Sequence, residues 1–171
     1  GQTEFSFGYT VTQLPLLQER CSCTLNVIKY SDYGLTAISN GVVVSDTLLA
    51  AKPDVVRKFA AATVESIAKA VQNPQAGVDA FFKYAEGKTQ LSRDVVTKQW
   101  LETIKLLHTD ATKDRPYGYT AESDWKESID LLVKYAEVPE GKVTPAMVSL
   151  TALLADAMSR PLSLNRAFWL C

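Results

Sequence analysis

The pattern of apolar and polar positions changes after the first quarter of the chain. Before that point, residues 4–9 and 24–30 alternate in a way that favours strands, and residues 40–44 form a continuous apolar run. A continuous run of this kind is typical of a strand buried on both faces of a sheet. Between the first two strands, residues 11–20 predict a short helix with Pro15 in its first turn, where the missing amide proton costs nothing.

The remainder of the chain predicts helices. Ser45 is placed to cap a short helix over residues 46–51, and Pro53 opens a long amphipathic helix. The Asn73–Pro74 pair ends that helix, because the residue before a proline is biased away from helical geometry. Four further helices are expected to begin near Pro74, Ser92, Glu122 and Pro145.

This order of elements indicates an α/β fold, with few strands on the N-terminal side followed by a helical C-terminal part. Three short strands cannot cover the inner faces of five or six amphipathic helices. We therefore expect the chain either to be the back half of a larger protein or to associate so that its sheet is completed.

Composition bounds the function without naming it. With 171 residues, of which 47% are hydrophobic and 22% charged, the chain is of ordinary size and polarity for one globular domain. A formal net charge of -1 gives no basic surface for nucleic acid or for a membrane. No apolar run approaches the roughly 20 residues that span a bilayer. No signal peptide is visible at the start, so that of an exported protein would lie upstream of Gly1.

Candidate catalytic chemistry is sparse. The single histidine, His108, stands near the C-terminal end of a predicted helix, where the helix dipole alone favours a cation. Cys21 and Cys23 form a CSC pair and Cys171 ends the chain, so a complete disulfide framework is excluded by the odd number. A CxC pair suits a metal only when further ligands converge on it. We expect incidental thiols, no metal, no cofactor and no enzymatic activity.

Tyr9 suggests a binding role. It follows the first predicted strand through Gly8, at a position where a strand end can present a ring to a crevice. Aromatic rings are good stacking surfaces for flat ligands. We therefore predict that Tyr9 faces a ligand.

Several segments, taken in order, resemble the substrate-binding proteins of ABC importers. The group includes binders of thiamine pyrimidine precursors, riboflavin, nitrate and sulfonates. The matching text begins with GQTEFSFGYTVTQLPLLQER and continues with SDYGLTAISNGVVVSDTLLAAKPDVVRKFAAATVESIAKAVQNPQAGVD. The segments SRDVVTKQWLETIKLL and YGYTAESDWKESIDLLVKYAEV follow. Order and spacing carry the resemblance, which extends over residues 1–138.

The resemblance implies a partial periplasmic-binding-protein-like fold, in which a small molecule sits between two lobes that close by a hinge motion. Residues 1–38 correspond to the end of the second lobe, residues 39–138 to the helical back half of the first lobe, and residues 139–171 to a divergent tail. Tyr9 and Thr10 match strand-end positions that face the cleft. Asn40 and Gly41 match the crossing between lobes, and the resemblance implies that these four residues contact the ligand.

The expected partners follow from the same resemblance. They are a small organic solute, such as a pyrimidine or a sulfonate, and an ABC permease, in the periplasm or another extracytoplasmic location. A homo-oligomer with a vestigial pocket is the alternative. An enzyme similar to thiamine-pyrimidine synthases is a third reading, and the single histidine and isolated CSC pair argue against it.

Overall fold

The computed structural model describes residues 5–21 and 23–149, and the regular structure within them is helical. A short 3-10 helix spans Tyr30–Tyr33. The α-helices are α1 (Gln13–Cys21), α2 (Asp46–Ala51), α3 (Pro53–Gln72), α4 (Pro74–Tyr84), α5 (Arg93–Ile104), α6 (Glu122–Tyr135) and α7 (Pro145–Val148).

Helix starts lie where the sequence predicts them. The Ser45 hydroxyl accepts a hydrogen bond from the Leu48 amide at 3.2 Å and begins α2. The Ser92 hydroxyl accepts one from the Val95 amide at 3.1 Å and begins α5. Each bond satisfies a backbone donor that the first helical turn leaves unpaired. The predicted prolines also occupy the first positions of α3, α4 and α7.

The core lies around α4, which packs against both α3 and α5, and α1 also packs against α5. Buried apolar side chains in the described residues are few and small: Val64, Val78, Val95, Val96 and Ile129, with Pro15 of α1. Such a core is small for seven helices, because each amphipathic helix needs a partner for its apolar stripe.

α3 and α4 approach each other closely at Gly77. A Cβ atom added at Gly77 would lie 2.9 Å from the Cβ of Ala70, a separation that real Cβ atoms essentially never show. Next to this contact, the Trp100 indole N–H donates a hydrogen bond to the Ala70 carbonyl oxygen at 3.0 Å. A glycine in α4 and an indole from α5 therefore fix the spacing of three helices.

The three predicted strands are not formed in the described residues, so the α/β pattern is not seen there. The segments over residues 5–9, 24–29 and 40–44 have no regular structure. Their apolar side chains point into solvent: Phe7 is 90% exposed and Val43 is 95% exposed. Strand formation needs a neighbour that pairs with the backbone N–H and C=O groups. An alternating pattern favours an extended strand, but a sheet forms only where a second segment pairs with that strand.

The apolar surface of the helices is also incompletely covered. On α3, Val64 is buried, whereas Val55 and Phe59 of the same predicted apolar face are exposed. On α6, Ile129 is buried, whereas Leu132 and Tyr135 are exposed. The shortage of covering surface expected from the sequence is thus present throughout the described helices.

The C-terminal part of the chain is only partly described. Helix α7 begins at Pro145, as predicted, but it ends at Val148, and the backbone of Ser149 is extended. The sequence predicts one helix from Pro145 through Met158, and this prediction is wrong at Ser149, because the chain leaves helical geometry there. The rest of that helix and the tail to Cys171 lie outside the described residues. None of the helices in the described ranges is long and apolar enough to cross a bilayer.

Candidate functional site

Tyr9 stands at the start of α1 with its backbone held and its ring exposed. The Tyr9 carbonyl oxygen accepts hydrogen bonds from the amides of Thr12 at 3.2 Å and Gln13 at 3.0 Å. The Tyr9 amide donates to Gln13 Oε1 at 2.8 Å, which closes the turn from the other side. The Tyr9 side chain is 58% exposed. The helix start therefore fixes the point from which the ring projects.

The four predicted ligand contacts form two separate pairs. Thr10 is half-buried beside Tyr9, whereas Asn40 and Gly41 are exposed in the segment before α2. Within the described residues, no hydrogen bond joins one pair to the other. A Cβ at Gly41 would meet no heavy atom within 4 Å, so this backbone is open to a ligand. A shared ligand for the two pairs remains a prediction.

The segment that leads to Asn40 is fastened to α6. The Thr36 hydroxyl donates a hydrogen bond to Glu127 Oε2 at 2.9 Å, and the Ile38 amide donates to the Ser128 hydroxyl oxygen at 2.8 Å. The Ser128 hydroxyl in turn donates to the Asp124 carbonyl oxygen at 2.9 Å. Sequence reasoning missed this connection. Its one local signal is a serine inside a helix, since such a hydroxyl can bond back to the carbonyl four residues earlier.

An acidic cleft of about 490 Å³ opens beside this connection. Its lining carries four carboxylates and one ammonium group: Asp110, Asp124, Glu127, Asp130 and Lys126. The hydrogen bond from Lys126 to Asp130, 2.6 Å long, raises the pKa of Lys126. Within the described residues, no three or more His, Cys, Asp or Glu side chains are grouped so that they would hold a metal ion. The cleft favours cationic over anionic groups and gives no metal centre.

His108 packs against an aromatic ring. Its ring lies on the Tyr117 ring, with the two centroids 4.8 Å apart and the planes tilted by 35°. The buried Nδ1 atom has no hydrogen-bond partner in the described part of the chain. A catalytic imidazole is usually oriented by a partner on one nitrogen, and no such partner is seen here.

Cys21 and Cys23 are joined in a disulfide, so the expectation of two incidental thiols is wrong for this pair. The bond lies at the C-terminal end of α1, and both residues are exposed. The Cys23 amide donates a hydrogen bond to Cys21 Sγ at 3.2 Å. Sequence spacing did not indicate the bond because an odd cysteine count leaves the pairing open.

An exposed ion pair between Asp79 and Arg93 links α4 to α5. Arg93 Nη1 lies 2.6 Å from Asp79 Oδ1, and the Gln75 amide group donates to the same oxygen at 3.0 Å. The hydrogen bonds from Arg93 and Gln75 hold the pKa of the Asp79 carboxyl below its ordinary value. Because both partners are exposed, the interaction is strongly screened by solvent.

The first part of the chain is similar to a known protein family. Residues 1–77 match the model of the NMT1/THI5-like family. The resemblance expected from the sequence is confirmed for this range. The NMT1/THI5-like segment contains Tyr9, Thr10, Asn40 and Gly41, together with α1, α2 and α3.

A curated relative extends the similarity beyond the NMT1/THI5-like segment. The chain is 26% identical over 132 residues to the riboflavin-binding protein RibY of Chloroflexus aurantiacus. The aligned stretch is 74% of this chain and 36% of that protein, so the chain spans well under half of its relative's length. No solved structure matches the chain significantly.

Proposed function

We propose that this chain is part of a non-enzymatic substrate-binding protein for a small organic solute. The observation that carries the proposal is the NMT1/THI5-like match over residues 1–77, which includes all four predicted ligand contacts. The similarity to a protein named as a riboflavin binder supports the same class of function. The proposal includes transport of the solute through an ABC permease. It also includes a location in the periplasm or elsewhere outside the cytoplasm.

The solute is a flat heteroaromatic molecule, a pyrimidine or a flavin, with a sulfonate as the less favoured ligand. The exposed Tyr9 ring offers a stacking face, and the turn beneath it is already ordered by the hydrogen bonds to Gln13. Thr10 and Asn40 supply polar groups that would fix orientation, and Gly41 allows a ligand to approach the backbone. Residues 1–38 and 39–138 would form opposite walls of the pocket, with residues 139–171 outside it.

Titration of the 171-residue chain into riboflavin, followed by quenching of riboflavin fluorescence, tests the proposal. Thermal-shift measurements with pyrimidines, sulfonates and nitrate extend it to the other ligand classes. We expect saturable quenching that Tyr9→Ala weakens by tenfold or more, the equivalent of about 1.4 kcal/mol. Tyr33→Ala, which truncates another exposed tyrosine, is the matched control and is expected to leave binding unchanged. Folded protein that responds to none of these solutes would contradict the proposal.

Self-association is the second candidate function. It is favoured by the exposure of Phe7 and Val43 in segments whose sequence prefers strand pairing. In this reading a second copy supplies the pairing partner and the pocket is vestigial. Light scattering over a range of protein concentrations separates the readings, because a monomer at the highest concentration contradicts self-association.

A pyrimidine-forming enzyme has the least support. Such a reading needs His108 or the cysteines as reactive groups. His108 is stacked on Tyr117, and Cys21 and Cys23 are bonded to each other. The relative from Chloroflexus aurantiacus is named as a binding protein. The proposal therefore assigns no catalytic residue.

A further inference from the structure

We infer that Cys21–Cys23 is an exchangeable disulfide, a redox modification site that reacts with thiols and dithiols in solution. Nothing in the solute-binding proposal uses this pair. The inference rests on three observations: the exposure of both cysteines, the size of the loop that the bond closes, and a backbone hydrogen bond to one of the two sulfurs.

The first observation is accessibility. Both cysteines are exposed, and the bond lies just where α1 ends. Thiol–disulfide exchange requires a thiolate to reach a disulfide sulfur, so exposed bonds exchange more readily than buried ones. Two hydrogen bonds that hold the region of α1 against α5 do not involve the cysteines. Gln99 Nε2 donates to the Thr12 carbonyl oxygen at 2.8 Å, and the Ser92 hydroxyl donates to Glu19. Reduction therefore leaves the docking of α1 in place.

The second observation is that the bond joins residues only two positions apart. A disulfide stabilises a fold largely by restricting the unfolded chain, and this effect grows with the length of the closed loop. A loop that encloses one residue removes little freedom from the unfolded state. The bond is thus poorly suited to be a structural staple, and little folding stability opposes its reduction.

The third observation indicates which sulfur leaves. The Cys23 amide donates to Cys21 Sγ at 3.2 Å, and a backbone donor at this place stabilises negative charge on the sulfur that receives it. An attacking thiolate should therefore bond to Cys23 Sγ, while the electron pair of the broken S–S bond goes to Cys21 Sγ.

With a dithiol as reductant the reaction balances. The first thiolate of the reagent forms a mixed disulfide with Cys23 and releases Cys21 as a thiolate. The second thiolate of the reagent then attacks the reagent sulfur of that mixed disulfide, closes a cyclic disulfide and releases Cys23. The two protons lost by the reagent end on the two cysteines. The protein gains two electrons and the dithiol loses two.

The test uses the full chain with Cys171→Ser, which leaves only the pair. Iodoacetamide should add no group to the untreated protein and two groups after treatment with dithiothreitol. In glutathione buffers, reduction consumes two molecules of reduced glutathione and yields one of oxidised glutathione, so the reduced fraction should follow the square of the reduced concentration divided by the oxidised concentration. The melting temperature should fall by less than about 4 °C on reduction, the shift expected for roughly 1 kcal/mol in a domain of this size. The inference would be overturned if iodoacetamide modified both cysteines of the untreated protein, or if glutathione did not reduce the bond.

A second measurement checks the direction of attack. The oxidised Cys171→Ser protein is treated briefly with reduced glutathione, acidified and alkylated. Trypsin cuts after Arg20 and Lys29, so fragment ions of the peptide CSCTLNVIK locate both modifications. We expect glutathione on Cys23 and the alkyl group on Cys21. The opposite placement would contradict the assigned leaving group. A melting temperature that falls by far more than 4 °C would instead make the bond a structural staple.

Discussion

The backbone amide of Ile38 donates a hydrogen bond to the Ser128 hydroxyl oxygen, which lies 90 residues further along the chain. Together with the bond from Thr36 to Glu127, it fastens the segment before the predicted lobe crossing to α6. Ser128 is buried, so the bond is shielded from competition by water. The end of the unpaired N-terminal region is thus positioned by a helix from the far half of the chain.

Replacing Ser128 with alanine should lower the free energy of unfolding by about 1 to 2 kcal/mol, because the Ile38 amide loses its partner. Urea denaturation measures the change. Ser66→Ala is the matched control. Its hydroxyl makes the same bond to the carbonyl four residues earlier, that of Ala62, but has no described contact with another segment. Equal effects for the two variants would show that the bond to Ile38 contributes nothing.

Alanine at Gly77 should destabilise the protein by about 1 to 3 kcal/mol, the usual range for overpacking. In an open helix the same change would stabilise by up to about 1 kcal/mol, since glycine is costly within helices. The added Cβ would stand 2.9 Å from the Ala70 Cβ and force α3 and α4 apart. Gly41→Ala, where the new Cβ meets nothing within 4 Å, should change stability little. A Gly77→Ala protein that is more stable than the parent would contradict the close packing.

The Ser92 cap should matter more than the Ser45 cap. Ser92→Ala removes the first-turn bond of α5, whose Val95 is fully buried, and should cost about 1 kcal/mol of unfolding free energy. Ser45→Ala removes the same kind of bond from α2, which buries no residue. We expect α2 to fray locally with a smaller effect on the main transition. Chemical denaturation of both variants gives the comparison, and a larger loss for Ser45→Ala would contradict it.

Asp79 gives the stability a dependence on acid pH. Hydrogen bonds from Arg93 and Gln75 lower the pKa of its carboxyl in the folded state. The resulting stabilisation is present above the pKa of the unfolded state and is lost as the pH falls through the lower folded pKa. Asp79→Asn should therefore reduce the loss of stability as the pH falls from about 5 through the ordinary range of an aspartate and below it. Urea denaturation of the parent and of the variant at several pH values measures the change, and identical pH profiles for the two proteins would contradict the prediction.

The helices could be predicted from the sequence because their signals are local. Ser45, Pro53 and Ser92 mark starts through bonds or ring geometry within one turn, and the structure places helix starts at each of them. The Asn73–Pro74 boundary is local in the same way. No distant residue has to be known for any of these predictions.

The absence of strands from the described residues and the anchor at Ser128 could not be predicted, because both depend on distant partners. Phe7 and Val43 lie in segments with strand patterns, but a strand exists only where another segment pairs with it. The Ile38–Ser128 bond depends on how α6 packs against an irregular segment, which no spacing in the sequence encodes. The disulfide is an intermediate case: its two cysteines are close in sequence, but their spacing alone does not show that they are bonded to each other.

The contacts between α1 and α5 would limit how far the two walls of the proposed pocket can move apart. Two hydrogen bonds join these parts: Gln99 donates to the Thr12 carbonyl oxygen, and Ser92 donates to Glu19. In the proposed pocket, the residues of each bond belong to opposite walls. A hinge rotation about residues 38–41 would have to break both hydrogen bonds before it could separate α1 from α5. In the proposed binding protein, capture of a solute would therefore proceed by a small tilt that keeps α1 in contact with α5.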